Sequence, residues 1–530
     1  MKQPALSANM SATDAAFLYL ERKEVPLHIA SVCVFDGPIP FQPFVANINS
    51  KLHLVPRYLQ IPRMPSWDLE FPTWQDDPKF DIRRHVFPVT LPAPGGEAEL
   101  QVLVSRILGQ LLDRNKPLWD VHVVDGLKNG RGAIILRLHH ALADGMSGAG
   151  LMQLLLDSSP EVPQSYPKPQ YRKVRKAPAP LSTAETLSAA LNGALGRLLQ
   201  FEAGMLGLAE NVVGSKKHDS GEPAQSHAKG LVGLLREFTA SIERLPFNKP
   251  CTGERKFCWT EFEMADVQAI RNAAGGTVND VILAVVTRAL SHYVKLHGES
   301  VVGRFVRVVC PVNLRAPDEK NGMGNRISFL PVALPLDARG PVRTLQAVTT
   351  RTETLKRSGA LSFVAIAAEW FSAAPPALQA LFWRNIPEVI LPVPLLNMIC
   401  TNVVGSPTPL YAVGRRMLSA YPQVPTGWDL GVGCAAHSYD GKLFFGLIAD
   451  THAAPDVDRL RDFLVLSFQE LRRSAAKKHV RHAEKTVRAA RSPQEQAEKP
   501  VPAAAPDSTN AEPPIAGARA AVAGHSKEAA

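Results

Sequence analysis

The chain has 530 residues, 45% of them hydrophobic and 20% charged, with a formal net charge of +10. That balance belongs to a folded globular protein with room for two or three domains, and it excludes a coiled coil or a wholly disordered chain. Six scattered cysteines (Cys33, Cys251, Cys258, Cys310, Cys400, Cys434) include no Cys-x-x-Cys pair, which argues against a zinc site and a disulfide scaffold and suits a reducing cytoplasm.

The N-terminal stretch MKQPALSANMSATDAAFLYLERKEV lacks an uninterrupted apolar core of signal-peptide length. HIASVCVF and GAIILRLHH read as strands, and ELQVLVSRILGQLLD between them has the 3–4 spacing of an amphipathic helix with a Leu and Val face for the core. Residues 1–160 are thus expected to form a first α/β domain. A linker is expected over 161–250, opening with the proline-rich, basic PEVPQSYPKPQYRKVRKAPAP. Two helical stretches follow in it, and their leucines and basic residues suit either a membrane surface or packing across two domains.

Residues 251–473 read as a second α/β block. Its strands are RKFCWTEFEM, RFVRVVCPVNLR and KLFFGLIAD, and its long helix TVNDVILAVVTRALSHYVKLHG opens at a Thr or Asn suited to capping and closes at a glycine. Residues 474–530 form a tail, first basic and able to extend a helix, then Ala- and Pro-rich and expected to be largely disordered. No segment reaches the ~18–20 apolar residues of a membrane-spanning helix. The greasiest run, VILPVPLLNMI, is broken by Pro392 and Pro394.

One stretch, LRLHHALADGMSGAG, concentrates the chemistry. A serine-nucleophile elbow at Ser147 is rejected, because position 149 is alanine and the serine would fall within a helix. A His-x4-Asp reading pairs His139 with Asp144 and resembles the glycerolipid acyltransferases, but their downstream Glu-Gly phosphate-binding block has no convincing copy here. In the remaining His-His-x3-Asp-Gly reading, a strand delivers His140 at its end and the chain turns through Asp144 and Gly145 into a helix. A histidine so placed can be held by its own backbone while one ring nitrogen takes a hydroxyl proton and returns it to a leaving thiolate. Asp144 either orients that ring or pairs with an arginine to fix the loop, the second being the simpler role. Gly145 permits a tight turn.

His139-His140-Ala141-Leu142-Ala143-Asp144-Gly145 resembles the signature of the acyl-CoA-dependent acyltransferase superfamily. The flanks resemble, in order, blocks of the bacterial wax ester synthase/diacylglycerol acyltransferase family. These are MSATDAAFLYLERKEVPLHIA, the Pro117-Leu118-Trp119 segment, TVNDVILAVV with Asn279 and Asp280, PVNLR with GMGNRISF, TNVVGSPTPLYAVG and SYDGKLFFGLIAD. Two departures stand out: Asp120 where glutamate is expected after the tryptophan, and Val404 and Ser406 for prolines around Gly405.

The resemblance implies two chloramphenicol-acetyltransferase-like α/β domains, each a mixed sheet flanked by helices, joined by a helical linker, with the active site in a channel between them. It implies that His140 is the general base, with no acyl-enzyme, no permanently bound cofactor and no metal. Acyl-CoA is the co-substrate and diacylglycerol or a long-chain alcohol the acceptor, giving triacylglycerol or wax ester. His139 is expected to support the base, and Pro117, Leu118 and Trp119 to pack beneath the site. Asn279 is a candidate channel residue or a helix cap. Arg315 and Arg326 either meet the phosphates of the co-substrate or lie on the surface. The oxyanion donor is not identified by the sequence.

The basic excess favours an acidic partner, and with lipid substrates it implies a cytoplasmic protein peripheral on the inner membrane face or on lipid inclusions. It shows no accompanying aromatic pattern for nucleic acid. The competing readings are a same-superfamily enzyme acylating another hydroxyl, on a complex lipid or metabolite, and a noncatalytic coat of lipid inclusions.

Overall fold

The run GAIILRLH forms a strand buried along its whole length, and a sheet is built outward from it on both sides. The fold is given by a computed structural model, which describes residues 8–65, 68–142, 155–167, 242–313, 327–357, 372, 374–385 and 396–495. The first half contains α1 (Ala12–Leu20), β1 (His28–Phe35), α2 (Phe41–Lys51), β2 (Gln60–Arg63), β3 (Thr73–Asp76), β4 (Val86–Thr90), α3 (Glu97–Leu108), β5 (Trp119–Asp125) and β6 (Gly132–His139). The second half begins with β7 (Arg255–Glu263), α4 (Met264–Ala274), α5 (Val278–Leu296), β8 (Phe305–Asn313), β9 (Ile327–Pro335), α6 (Pro341–Arg357) and α7 (Pro376–Asn385). It continues with β10 (Met398–Val404), β11 (Tyr411–Ala412), β12 (Arg415–Gln423), β13 (Val432–Tyr439), β14 (Lys442–Asp450) and α8 (Val457–Glu495).

Among the described residues the strands form two six-stranded sheets, ordered β11-β12-β1-β6-β5-β4 and β7-β14-β13-β10-β8-β9, plus the small pair β2-β3. Both large sheets are mixed: β4 runs parallel to β5, and β10 runs parallel to β13 and β8, while the other pairs are antiparallel. The expected α/β class with mixed, helix-flanked sheets is what is found. The predicted strands HIASVCVF, RKFCWTEFEM and KLFFGLIAD correspond to β1, β7 and β14. The amphipathic α3 buries Leu100, Leu103, Val104, Ile107 and Leu108 and exposes Val102.

The first sheet is not completed by residues 1–160. Its outer strands β11 and β12 come from the far end of the chain, and β12 pairs antiparallel with β1 from Ala30↔Gln423 to Phe35↔Met417. β12 also lies against β13 and β14 of the second sheet. Gly446 on β14 permits this: a Cβ there would stand 1.9 Å from the carbonyl oxygen of Pro422 and 2.8 Å from the Phe257 ring. One apolar core accordingly runs from Val32, Ile135 and Trp119 to Trp259, Tyr421 and Phe444, while a second lies around α5 and β8. The buried pair Arg255–Asp450 closes the seam, its Arg255 Nη2 donating to the Glu24 and Thr426 carbonyls at 2.8 and 2.9 Å.

Residues Met1–His479 form one compact unit. Of the second, Val480–Ala530, the structure describes the helical continuation to Glu495, so the basic stretch does extend the last helix. The Ala- and Pro-rich end and the linker helices expected over 182–213 and 229–245 lie outside the described residues, except for 242–245, which are not helical. Among the described residues no single helix is long and apolar enough to cross a membrane. The pair α4–α5 passes on composition together but is bent by 94°, and the apolar residues of α5 from Val281 to Val294 belong to the core.

Candidate active site

The end of β6 is gripped from two sides. The His139 N–H donates to the Leu118 carbonyl and the His140 N–H to the Leu27 carbonyl, both at 2.9 Å. Strand alternation sends these neighbouring side chains in opposite directions. His139 is fully buried, whereas His140, opening the short turn His140–Leu142, is half-buried.

Phe17 of α1 stacks on the His140 ring, with centroids 3.9 Å apart and planes at 21°. The His140 Nδ1 is buried and makes no hydrogen bond of ordinary geometry among the described residues. Burial first, and the neighbouring His139 second, lower its pKa from the usual 6.5 to about 4, opposed by its own backbone carbonyl. The ring is neutral at physiological pH and keeps a lone pair with which to take a proton.

His139 has a different surrounding. Its Nδ1 accepts the Ala141 N–H at 3.1 Å, and its Nε2 stands 3.2 Å from Glu21 Oε1, without the alignment of a full hydrogen bond. Glu21 also receives the Leu27 N–H at 3.2 Å and Arg114 Nη2 at 3.0 Å. Burial alone would raise the Glu21 pKa, but His139, Arg114 and the Leu27 amide outweigh it and hold it at about 2. Phe17, Glu21 and Arg114 are site residues that the motif reading missed. The available signal was the i, i+4 spacing of Phe17 and Glu21 in FLYLE, which puts both on one helix face.

Pro117, Leu118 and Trp119 are buried; the Leu118 carbonyl accepts the His139 N–H, and Trp119 pairs with Leu138 of β6. The Trp119 indole N–H donates to the Tyr58 carbonyl at 2.9 Å, and its ring stacks on His85 with centroids 4.5 Å apart. Asp120, the departure from the expected glutamate, makes a buried two-pronged pair with Arg137, its direct partner across β5 and β6. Burial works against ionisation of Asp120, yet His122 and Arg137 hold it well below the usual carboxylate range. At the other departure, Ser406 fixes its loop through a 2.8 Å bond from its hydroxyl to the Thr408 carbonyl.

Thr277, not Asn279, caps α5. Its hydroxyl accepts the Asp280 N–H at 3.2 Å, and the Asp280 carboxylate in return accepts the Thr277 N–H at 2.8 Å. Asp280 is thereby structural, with its other oxygen taking the Thr352 hydroxyl at 2.7 Å. Asn279 is left half-buried at the second position of the helix, and no hydrogen bond joins it to the histidines among the described residues. Asp144, Gly145, Arg315 and Arg326 lie outside the described residues.

Residues 10–282 match the family model of the wax ester synthase/diacylglycerol acyltransferase catalytic domain, and residues 323–472 match that of the WS/DGAT C-terminal domain. A probable diacylglycerol O-acyltransferase of Mycobacterium tuberculosis is 30% identical over 464 residues, covering 85% of this chain and 93% of that protein. The solved wax ester synthase/diacylglycerol acyltransferase of Marinobacter aquaeolei VT8 shares the fold at a TM-score of 0.59 and 22% identity, over 88% of this chain and 100% of that one. A starter condensation domain of the rhizomide synthetase RzmA matches at a TM-score of 0.50 and 13% identity, over 88% of this chain and 95% of that one. With more than half of its length matched by the catalytic-domain model, and with both halves matched in order, this chain belongs to the wax ester synthase/diacylglycerol acyltransferase family and is an acyltransferase.

Proposed function

We propose that the chain transfers the acyl group of acyl-CoA to the hydroxyl of diacylglycerol, of a long-chain alcohol, or of both, with His140 as the general base. The observation that carries the proposal is the placing of His140 at the end of β6, its ring backed by Phe17 and kept neutral by burial. The neutral imidazole takes the acceptor's hydroxyl proton as the oxygen attacks the thioester carbonyl. The tetrahedral species then collapses, the C–S bond breaks, and the thiolate recovers that proton from the imidazolium. Ester and free coenzyme A leave, and the ring is neutral again. A thioester is already activated, so one base and two aligned substrates suffice in principle.

In this reading Asp144 and Gly145 shape the turn after His140, Arg315 and Arg326 meet the phosphates of the co-substrate, and Asn279 lies near the channel. These five residue assignments rest on the sequence. Attachment to the cytoplasmic membrane face or to lipid inclusions belongs to the same reading, supported by the net charge of +10 and the basic end of α8.

The test is an acceptor panel: purified protein with a long-chain acyl-CoA and, separately, diacylglycerol, hexadecanol or a water-soluble alcohol, with ester and free thiol both quantified. Ester with a lipid acceptor is the expected result. Turnover on the water-soluble alcohol alone would move the assignment to another hydroxyl, and no turnover with any acceptor would favour a coat protein.

The rate should also report the lowered basicity of the ring. As a base His140 works unprotonated, so kcat/KM is expected to rise with pH through about 4 and to be level by neutrality, whereas an unperturbed histidine would place the rise near 6.5. Stability should move in the same direction. His28 and His85, lowered chiefly by burial to about 3 and about 4, are neutral in the fold but protonate more readily when unfolded. Stability is therefore lost as pH falls below 6.5 towards 4. A pH series of initial rates and of melting temperatures checks both.

A further inference from the structure

We propose that Glu21 is a positioning residue for His140, acting through the ring of His139. The proposal rests on the reading of His140 as the base. Glu21 is the first residue beyond α1, its N–H still donating to the Phe17 carbonyl at 3.1 Å. Phe17 and Glu21 therefore stand one helical turn apart and meet consecutive residues of the motif, Phe17 on His140 and Glu21 on His139. A carboxylate only 7% exposed is costly unless paired. This one has a guanidinium, a backbone amide and an imidazole around it.

The neutral imidazole carries one proton on one of two nitrogens. Because the Ala141 N–H points at His139 Nδ1, that nitrogen must be bare, and the proton sits on Nε2, facing Glu21. The carboxylate, an acceptor only, favours this tautomer over the other. Ala141 is the middle residue of the turn His140–Leu142, so its bond to His139 holds the turn that presents the base. With the proton on Nδ1, two donors would face each other and the turn would open. A displacement of the base by about 1 Å is enough to cost on the order of 100-fold in rate.

Glu21→Gln keeps the shape but removes the charge, and its amide nitrogen must replace either the oxygen shared by the Leu27 N–H and His139 Nε2 or the one that takes Arg114, so one of these contacts becomes a donor–donor clash. The expected result is a kcat lower by about 10- to 100-fold, with KM for either substrate within about twofold of the wild type. In protein with ¹⁵N-labelled histidine, the Nε2 resonance of His139 is expected to shift from its wild-type position, since its carboxylate acceptor is gone. A second background isolates the route of the effect. In His139→Asn the side-chain carbonyl can accept the Ala141 N–H with no tautomer to choose, so adding Glu21→Gln should there cost less than about twofold.

An unchanged kcat in Glu21→Gln, an unchanged His139 Nε2 resonance, or an equal loss in both backgrounds each overturns the proposal. If His139→Asn is inactive, the resonance and the kcat of the single variant decide. The nitrogen shifts need no substrate, which separates the two possible failures. Persisting activity in His140→Ala removes the base reading, while an inactive His140→Ala beside a fully active Glu21→Gln removes only the positioning role.

Discussion

His140→Ala is expected to lower ester formation by about 10²- to 10⁴-fold, the range that one positioned general base supplies. The substitution removes the proton acceptor and leaves what aligns the two substrates, so a residual rate above background should survive. The fold should survive too. His140 is half-buried, its backbone N–H bond to Leu27 does not involve the ring, and its Nδ1 has no hydrogen-bond partner to orphan among the described residues. The loss should therefore fall on kcat, with acyl-CoA binding and melting temperature close to the wild type. Wild-type turnover in a folded His140→Ala protein would end the general-base assignment.

Asp120→Ala should have the largest effect on stability, about 3–5 kcal/mol, because it leaves a buried guanidinium without its counter-charge. Asp120 and Arg137 are 4% and 3% exposed, and the two oxygens take Nε and Nη2 at 3.0 and 2.6 Å. The remaining Arg137 nitrogen, Nη1, donates to the Ile107 and Gln110 carbonyls at 2.5 and 2.7 Å. One side chain thus joins the end of α3 to two central strands, directly behind the motif. Chemical denaturation should show the midpoint falling. A double replacement, Asp120→Leu with Arg137→Met, should recover much of the loss, since an apolar pair has no charge to strand. A single variant as stable as the wild type would mean that water reaches the guanidinium.

The parts of the fold that could be read in advance are those set by local pattern. β6 is apolar over Ala133–Leu136 and buried throughout because it is covered on both faces, with Arg137 admitted by its pairing to Asp120, and α3 keeps its 3–4 spacing because only one face is covered. His140 was legible because the motif spacing binds it to a turn. Glu21 was not. In YLERKE it reads as the solvated end of a helix, and only Arg114, 93 residues away, together with His139, makes its burial affordable. The cap of α5 was left open between two residues for a subtler reason: Thr277 and Asn279 are both good caps, and the choice depends on Asp280 reaching back to the Thr277 amide. β12 was unread because RRMLSAYPQ lacks a clean alternation, its two sides meeting β1 and the second sheet at once.

The pairing of β12 with β1 also bears on how the molecule is made. Asp36 and Arg416, which are joined where these strands meet, lie 380 residues apart in the chain. During synthesis the outer edge of β1 must wait, bare and mostly apolar, until residues as far as Gln423 have left the ribosome. The two halves are thus poor candidates for independent life: a duplicated-looking architecture has been locked into a single folding event by one late strand.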